Sequence, residues 1–180
     1  MLLVLQRHGH DLPDANGTSV LSAQGRSAVR ANAQTLASTC LSHFRVGISS
    51  PSARCRETLQ EMSQHLSIGR TVVSDQLSSG SDPRSLESLL LGFLETERPP
   101  SLLIVGHEPQ LTNSVLSWLG LPDDFSEPSG PRWTLSRGEC MYIVPEVLGS
   151  TFSLHARPVL SSARSFPYRP STPSTCYDRL

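Results

Sequence analysis

Lysine is missing from the chain altogether, so every one of its 15 basic side chains is an arginine. Arginine offers a planar fork of donors suited to bidentate contact with oxyanions, although codon bias explains the exclusion of lysine more readily than function does. An excess of charge of one sign is missing too. Fifteen arginines stand against 16 acidic residues, a formal net charge of -1. That balance argues against wholesale binding to nucleic acid or an anionic membrane, and makes any cationic site a local feature.

Paired cysteines are lacking. Cys40, Cys55, Cys140 and Cys176 are scattered, with neither a CxxC pair nor metal-ligand spacing, so no disulfide framework and no zinc site is expected. Long hydrophobic runs are lacking as well. The opening "MLLVL" is too short for a signal-peptide core, and no other apolar run approaches a bilayer span. These absences leave the expectation of a soluble, cytoplasmic protein in a reducing compartment.

A chain of 180 residues has room for one domain with a real core. Composition divides it near Ala156: residues 1–156 are expected to form the domain. The closing stretch over 157–180, rich in Pro, Ser and Arg, reads as a disordered or loosely docked tail. No internal repeat is present.

Within the domain, short apolar runs alternate with helical patterns. Leu2 to Gln6 reads as a buried strand, and the segment from Leu21 to Ser38 as a helix with apolar or small residues at Ala28, Ala31, Leu36 and Ala37. Arg45 to Ser49 is a second strand. The helix after it is expected to start with Ser50 as cap and Pro51 at its first position. Thr71 to Val73 forms a third strand, followed by a helix capped by Ser81 or Asp82. Ser101 to Val105 is the most strand-like run, and the next helix is expected from Pro109 to Gly120. Leu135 to Val144 and Thr151 to His155 read as further strands, paired in a hairpin at one sheet edge. The alternation implies an α/β fold: a three-layer α/β/α sandwich around a mainly parallel sheet with an antiparallel edge.

In such sheets ligands sit beyond the carboxyl ends of the strands. Unusual side chains fall at three of those ends: Arg7, His8 and Gly9 after the first strand, Ser50 to Arg54 after the second, Gly106 and His107 after the fourth. Taken singly each is ordinary, since a histidine at a strand end is more often a capping or surface residue. Their recurrence at successive strand-to-helix junctions points to one site. Arginines and helix N-termini hold phosphate through charge-assisted hydrogen bonds. A histidine among them can attack phosphorus and carry it covalently, while a second histidine donates to the equatorial oxygens as charge builds there. Gly9 would let the backbone pass close to the phosphate. That chemistry requires no metal and no cofactor. Arg26, Arg30 and Arg56 read as solvated helix residues, although one of them could lend charge to the rim; His43, His65 and His155 carry no signal.

Together "LVLQRHG", "SSPSARCRETL" and "LLIVGHEPQL" resemble the motifs of the histidine phosphatase superfamily, the phosphoglycerate mutase-like fold. The "SP..R..ET" helix start and "VGHEP" look most like its SixA-type branch, the phosphohistidine phosphatases. The resemblance covers roughly residues 1 to 155. It implies that His8 is the phosphorylated nucleophile, that Arg7 and Arg54 bind the phosphate with Gly9 as the motif glycine, and that His107 is the second histidine of the pocket. Two departures stand out. His10 follows the tripeptide where branch members usually carry an acidic residue, with Asp11 one place later. Ser19 stands where an arginine aligns, which removes a positive charge from the pocket mouth.

Mutases and acid phosphatases of that superfamily protonate the leaving alkoxide with a carboxylic acid. The region after the third strand lacks their glutamate-rich text and offers Asp75, Asp82 and Glu87, of which Asp82 reads as a helix cap and Glu87 as a solvated face. A built-in acid typically contributes ~10²–10⁴-fold, and imidazole, once protonated by solvent, leaves readily without one. Three readings stay open: phosphohistidine removal from a protein, hydrolysis of a small phosphate ester, or a non-catalytic phosphate-binding module.

Overall fold

The computed structural model describes residues 1–38, 41–122, 134–143, 146–148, 151–153 and 159–160. Along the chain run β1 (Leu2–Arg7), a hairpin of β2 (Asp11–Pro13) and β3 (Ser19–Leu21), α1 (Ala23–Ala37), β4 (His43–Ser49), α2 (Ala53–Ser63), β5 (Ser67–Val73), a 3-10 turn at Asp75–Leu77, α3 (Pro83–Thr96), β6 (Ser101–Gly106), α4 (Gln110–Trp118), β7 (Cys140–Ile143), a hairpin of β8 (Glu146–Leu148) and β9 (Thr151–Ser153), and β10 (Val159–Leu160).

One six-stranded sheet, in the order β10-β7-β1-β6-β4-β5, organises the molecule. β1, β6, β4 and β5 pair in parallel, and β7 and β10 add the antiparallel edge. Side chains alternate across a strand, so the continuous apolar runs of β1 and β6 serve two faces at once. Leu3, Leu5, Leu102 and Ile104 pack with Leu86 and Leu90 of α3 and with Leu111, Val115 and Leu116 of α4. On the opposite face Val4, Leu103 and Val105 meet Val29, Ala33 and Leu36 of α1 and Leu59 and Met62 of α2. This is the expected three-layer α/β/α sandwich, the phosphoglycerate mutase-like architecture. Burial on both faces explains why β1 and β6 read as unbroken hydrophobic runs.

Several local readings are corrected. The helix expected to start at Ser50 and Pro51 has Ser52 at its cap position and Ala53 as its first residue; the Ser52 side chain makes no capping bond, while Ser50 Oγ faces both the Ser52 N–H at 3.3 Å and His107 Nε2 at 2.9 Å. β5 starts at Ser67, four residues earlier than Thr71; it is the far edge strand and mostly solvated, so it lacks the apolar signature. The expected hairpin between the last two strands does not form: β7 pairs with β1 and β10, whereas β9 pairs with β8 in a separate ribbon. Leu135 to Glu139 is not strand. It turns at Gly138, whose φ is +78°, with the Glu139 N–H donating to the Ser136 carbonyl at 2.9 Å. β10 falls inside the stretch read as a tail, so the sheet reaches Leu160; residues 161–180 lie outside the described residues.

Candidate active site

β1, β6 and β4 are neighbours, and their carboxyl ends are level: Arg7 stands opposite Gly106, and Ser49 opposite Val105. The backbone beyond them is pinned. The His8 N–H donates to the Gly106 carbonyl at 3.2 Å, the Ser50 N–H to Val105 at 3.1 Å, and the Gly138 N–H to the His8 carbonyl at 2.9 Å. Four residues expected to converge, Arg7, His8, Arg54 and His107, are thus brought to one sheet edge.

His8 is 6 % exposed. Its Nδ1 lies 2.8 Å from the Gly9 carbonyl, which can only accept, so Nδ1 bears the hydrogen and Nε2 keeps its lone pair. Burial is the largest influence on its pKa. Against the upward pull of the Gly9 carbonyl, it holds the pKa below the ordinary 6.5, with Arg54 adding to the depression. The ring is therefore neutral near pH 7, the form a nucleophile requires.

His107 is 2 % exposed, its ring edge-on to His8 with centroids 5.1 Å apart and planes at 60°. Arg54 Nη2 lies 3.4 Å from His107 Nδ1 and can only donate, so the hydrogen sits on Nε2 and is given to Ser50 Oγ at 2.9 Å. Ser52 Oγ and Cys55 Sγ also face Nε2, at 3.3 and 3.5 Å. Burial, then the charge of Arg54, pushes the His107 pKa down to about 4. A dianionic phosphoryl group in the site acts the other way, since a nearby opposite charge favours the protonated ring.

Arg7 Nη1 donates to the Leu135 carbonyl at 2.6 Å. Its Nε, like the Nε of Arg54, is buried without a hydrogen-bond partner. Two guanidinium groups with donors to spare, beside two neutral imidazoles, form a cradle for an oxyanion.

Gly9 serves a different end from the one expected. A Cβ there would meet Leu21 Cδ1 at 2.5 Å, Val29 Cγ2 at 3.0 Å and the Gly25 carbonyl at 3.1 Å. The missing side chain therefore faces helix α1 and lets the strand end pack against it. Gly25 reciprocates, since a Cβ there would meet the His10 carbonyl at 2.2 Å. The Gly9 N–H donates to Thr58 Oγ1 at 3.1 Å, and that hydroxyl donates to the Arg54 carbonyl at 2.7 Å, tying the segment after β1 to the start of α2. His10, the departure next to the motif, meets Ser22 Oγ at 3.0 Å and belongs to the cap of α1.

None of the three carboxylates considered as acids is joined to the site by a hydrogen bond or ion pair among the described residues. Asp82 caps α3, accepting from the Arg84 N–H at 2.7 Å. Asp75 is exposed in the 3-10 turn and Glu87 half-buried on α3. Arg26 and Arg30 pair with Glu57 and Glu61, bridging α1 to α2 and not lining the rim.

Two other carboxylates do belong to the site. Asp11 lies 3.8 Å from Arg54 Nε, 4.0 Å from His8 Nδ1 and 3.1 Å from Arg137 Nη1. Burial would raise its pKa, but the Ser19 hydroxyl, then His8, Arg137 and Arg54, outweigh that and hold the carboxyl below its usual range. Both Glu108 carboxyl oxygens are buried and make no hydrogen bond of good geometry, Thr112 and Leu135 offering only weaker ones. Burial pushes its pKa up to about 7 against the pull of Thr112, Arg7 and Leu135. Among the described residues no group of three or more His, Cys, Asp or Glu side chains is placed to hold a metal ion, and no helix is long and apolar enough to cross a membrane.

No protein-family profile and no curated protein matches the sequence. Solved structures do match it. The protein histidine phosphatase SixA complexed with tungstate superposes with a TM-score of 0.67 at 21% identity, over 80% of this chain and 88% of that one. The α-ribazole phosphatase from Shigella flexneri gives 0.60 at 15% identity, over 87% and 95%. The mycobacterial glucosyl-3-phosphoglycerate phosphatase complexed with VO3 gives 0.62 at 13% identity, over 92% and 99%. At these identities the likeness is one of architecture: the chain has the phosphoglycerate mutase-like fold found in these phosphatases.

Proposed function

We propose that the chain is a histidine phosphatase that carries the phosphoryl group on His8 and removes it from phosphohistidine on a protein. The observation that carries this reading is the 2.8 Å contact of His8 Nδ1 with the Gly9 carbonyl: it commits Nδ1–H and leaves Nε2 unprotonated as the nucleophile, with the charges of Arg54 and Arg7 acting on the ring. Nε2 forms a bond to phosphorus while the bond from phosphorus to the leaving group breaks. Water then attacks the phosphoryl group, releasing phosphate and restoring neutral His8. The two arginines and His107 meet the equatorial oxygens, where charge develops. No metal ion or cofactor enters this scheme. Oxyanions related to phosphate, tungstate and VO3, are bound by two of the structurally similar phosphatases.

Phosphohistidine is the preferred substrate because its leaving imidazole takes a proton from solvent, and Asp75, Asp82 and Glu87 all stand apart from the site. A second reading, hydrolysis of a small phosphate ester, has one observation in its favour: Glu108, with a pKa of about 7, is protonated to a useful extent at neutral pH and lies close enough to Arg7 to feel its charge.

The distinguishing experiment is kcat/KM across phosphate esters of graded leaving-group pKa, beside a phosphohistidine protein, for the wild type and Glu108→Gln. Without an internal acid the rate falls steeply as the leaving group becomes more basic, and Glu108→Gln keeps the same slope. A shallow series that turns steep in Glu108→Gln makes Glu108 the acid and the small-ester reading the correct one.

A further inference from the structure

Beyond the four residues of the cradle, its mouth carries a charge pair for which the phosphoryl transfer has no use. The Asp11 carboxylate is only 12 % exposed at the side chain and sits between two cations, Arg137 at 3.1 Å and Arg54 at 3.8 Å, with the neutral His8 ring at 4.0 Å. Ser19 donates its hydroxyl to Oδ2, which fixes the carboxylate. Oδ1, the oxygen nearest Arg137, accepts no hydrogen bond, so Arg137 is held there by charge alone.

Arg137 is anchored at one end only. Its backbone lies in the turn clamped to the catalytic strand: the Arg7 N–H donates to the Glu139 carbonyl at 3.0 Å and the Gly138 N–H to the His8 carbonyl at 2.9 Å. Its side chain is 47 % exposed. The guanidinium is near enough for its charge to act on Arg7. A pair with one half-exposed partner and no hydrogen bond holds that partner loosely, whereas a phosphoryl dianion offers an arginine fork more charge and three acceptor oxygens.

We propose that Arg137 is the third arginine of the phosphate site: it rests on Asp11 in the free protein and transfers to the phosphoryl group when substrate binds. The positive charge that Ser19 does not provide at the mouth thus comes from the far side of the sheet edge, and Ser19 instead orients the carboxylate on which that charge waits. Asp11 acts as an internal competitor of the phosphate, and removing its charge strengthens phosphate binding.

The inference rests on the phosphatase reading, and the test separates the two. Inorganic phosphate and tungstate are titrated calorimetrically into the full chain as wild type, Arg137→Ala, Arg137→Lys, Asp11→Asn and the Asp11→Asn/Arg137→Ala double variant. Arg137→Ala should bind phosphate on the order of 10-fold more weakly, as the loss of one charge-assisted contact, and Arg137→Lys should recover part of the loss. Asp11→Asn should bind several-fold more tightly, and the double variant should lose that gain. Unchanged affinity in Arg137→Ala, or equal weakening in Arg137→Ala and Asp11→Asn, overturns the role of Arg137 while leaving the phosphatase reading in place. A wild type that neither binds phosphate nor turns over a phosphate ester overturns both.

Discussion

Replacing Ser50 by alanine tests how the site controls its second histidine. Ser50 and His107 are both buried, and the His107 Nε2–H donates to Ser50 Oγ at 2.9 Å. Removing that acceptor leaves a buried N–H whose desolvation costs about 1–3 kcal/mol when unpaired, which corresponds to roughly 5- to 150-fold in rate if it falls on the transition state. Two poorer acceptors remain, Ser52 Oγ at 3.3 Å and Cys55 Sγ at 3.5 Å, so the expected loss is near the low end, about 5- to 20-fold in kcat. KM should change less, since the proposed phosphate contacts of Arg7 and Arg54 are untouched. The assay is steady-state turnover of an aryl phosphate, with thermal unfolding to show that the variant is intact. A folded Ser50→Ala protein with wild-type kcat would refute the argument that Ser50 fixes the ring.

Three further outcomes follow from the geometry. Gly9→Ala places a Cβ 2.5 Å from Leu21 Cδ1 and should destabilise the fold by about 1–3 kcal/mol, read by chemical denaturation; an unchanged midpoint contradicts the close packing of β1 on α1. Because the His8 pKa is lowered from 6.5, the neutral nucleophile persists as pH falls past 6.5, so the acid limb of kcat/KM should have its midpoint below that value. A midpoint at or above 6.5 contradicts the burial argument. Glu108 has a folded pKa of about 7 against an ordinary 4.5, so the folded state holds its proton more tightly. Its contribution is full below pH 4.5 and is lost as pH rises through 7. The stability of the wild type relative to Glu108→Gln should therefore fall across that window, and a constant difference between the two is evidence against the burial of this carboxyl.

What could be read from the sequence is what local physics determines. β1, β4 and β6 show as apolar runs because they are buried on both faces, and α3 shows through Asp82 and Pro83 at its start. The convergence of Arg7, His8 and His107 follows from strand ends, since a parallel sheet aligns its carboxyl edges, whereas the resemblance singles out Arg54 within the stretch from Ser50 to Arg54. What stayed hidden depends on long-range contacts. "SSPS" offers serines at two candidate cap positions, and nothing local shows that the Ser50 hydroxyl meets the His107 ring, which a different strand brings in. Gly9 carries the same letter whether its open face serves a ligand or a helix; α1 decides the matter. Glu108 stands within "VGHEP", yet nothing local shows that its carboxyl is buried. Arg137 reaches Asp11 only because β7 returns beside β1.

Capture of the phosphoryl intermediate tests the central claim most directly. Rapid quench of the wild type turning over a labelled phosphate ester or phosphohistidine protein, followed by peptide mapping under alkaline conditions that preserve phosphohistidine, locates the group. The expected result is an acid-labile phosphoryl group on His8, absent from His8→Ala, which should not turn over. A label on His107, or an active enzyme with no label on any histidine, would contradict the account.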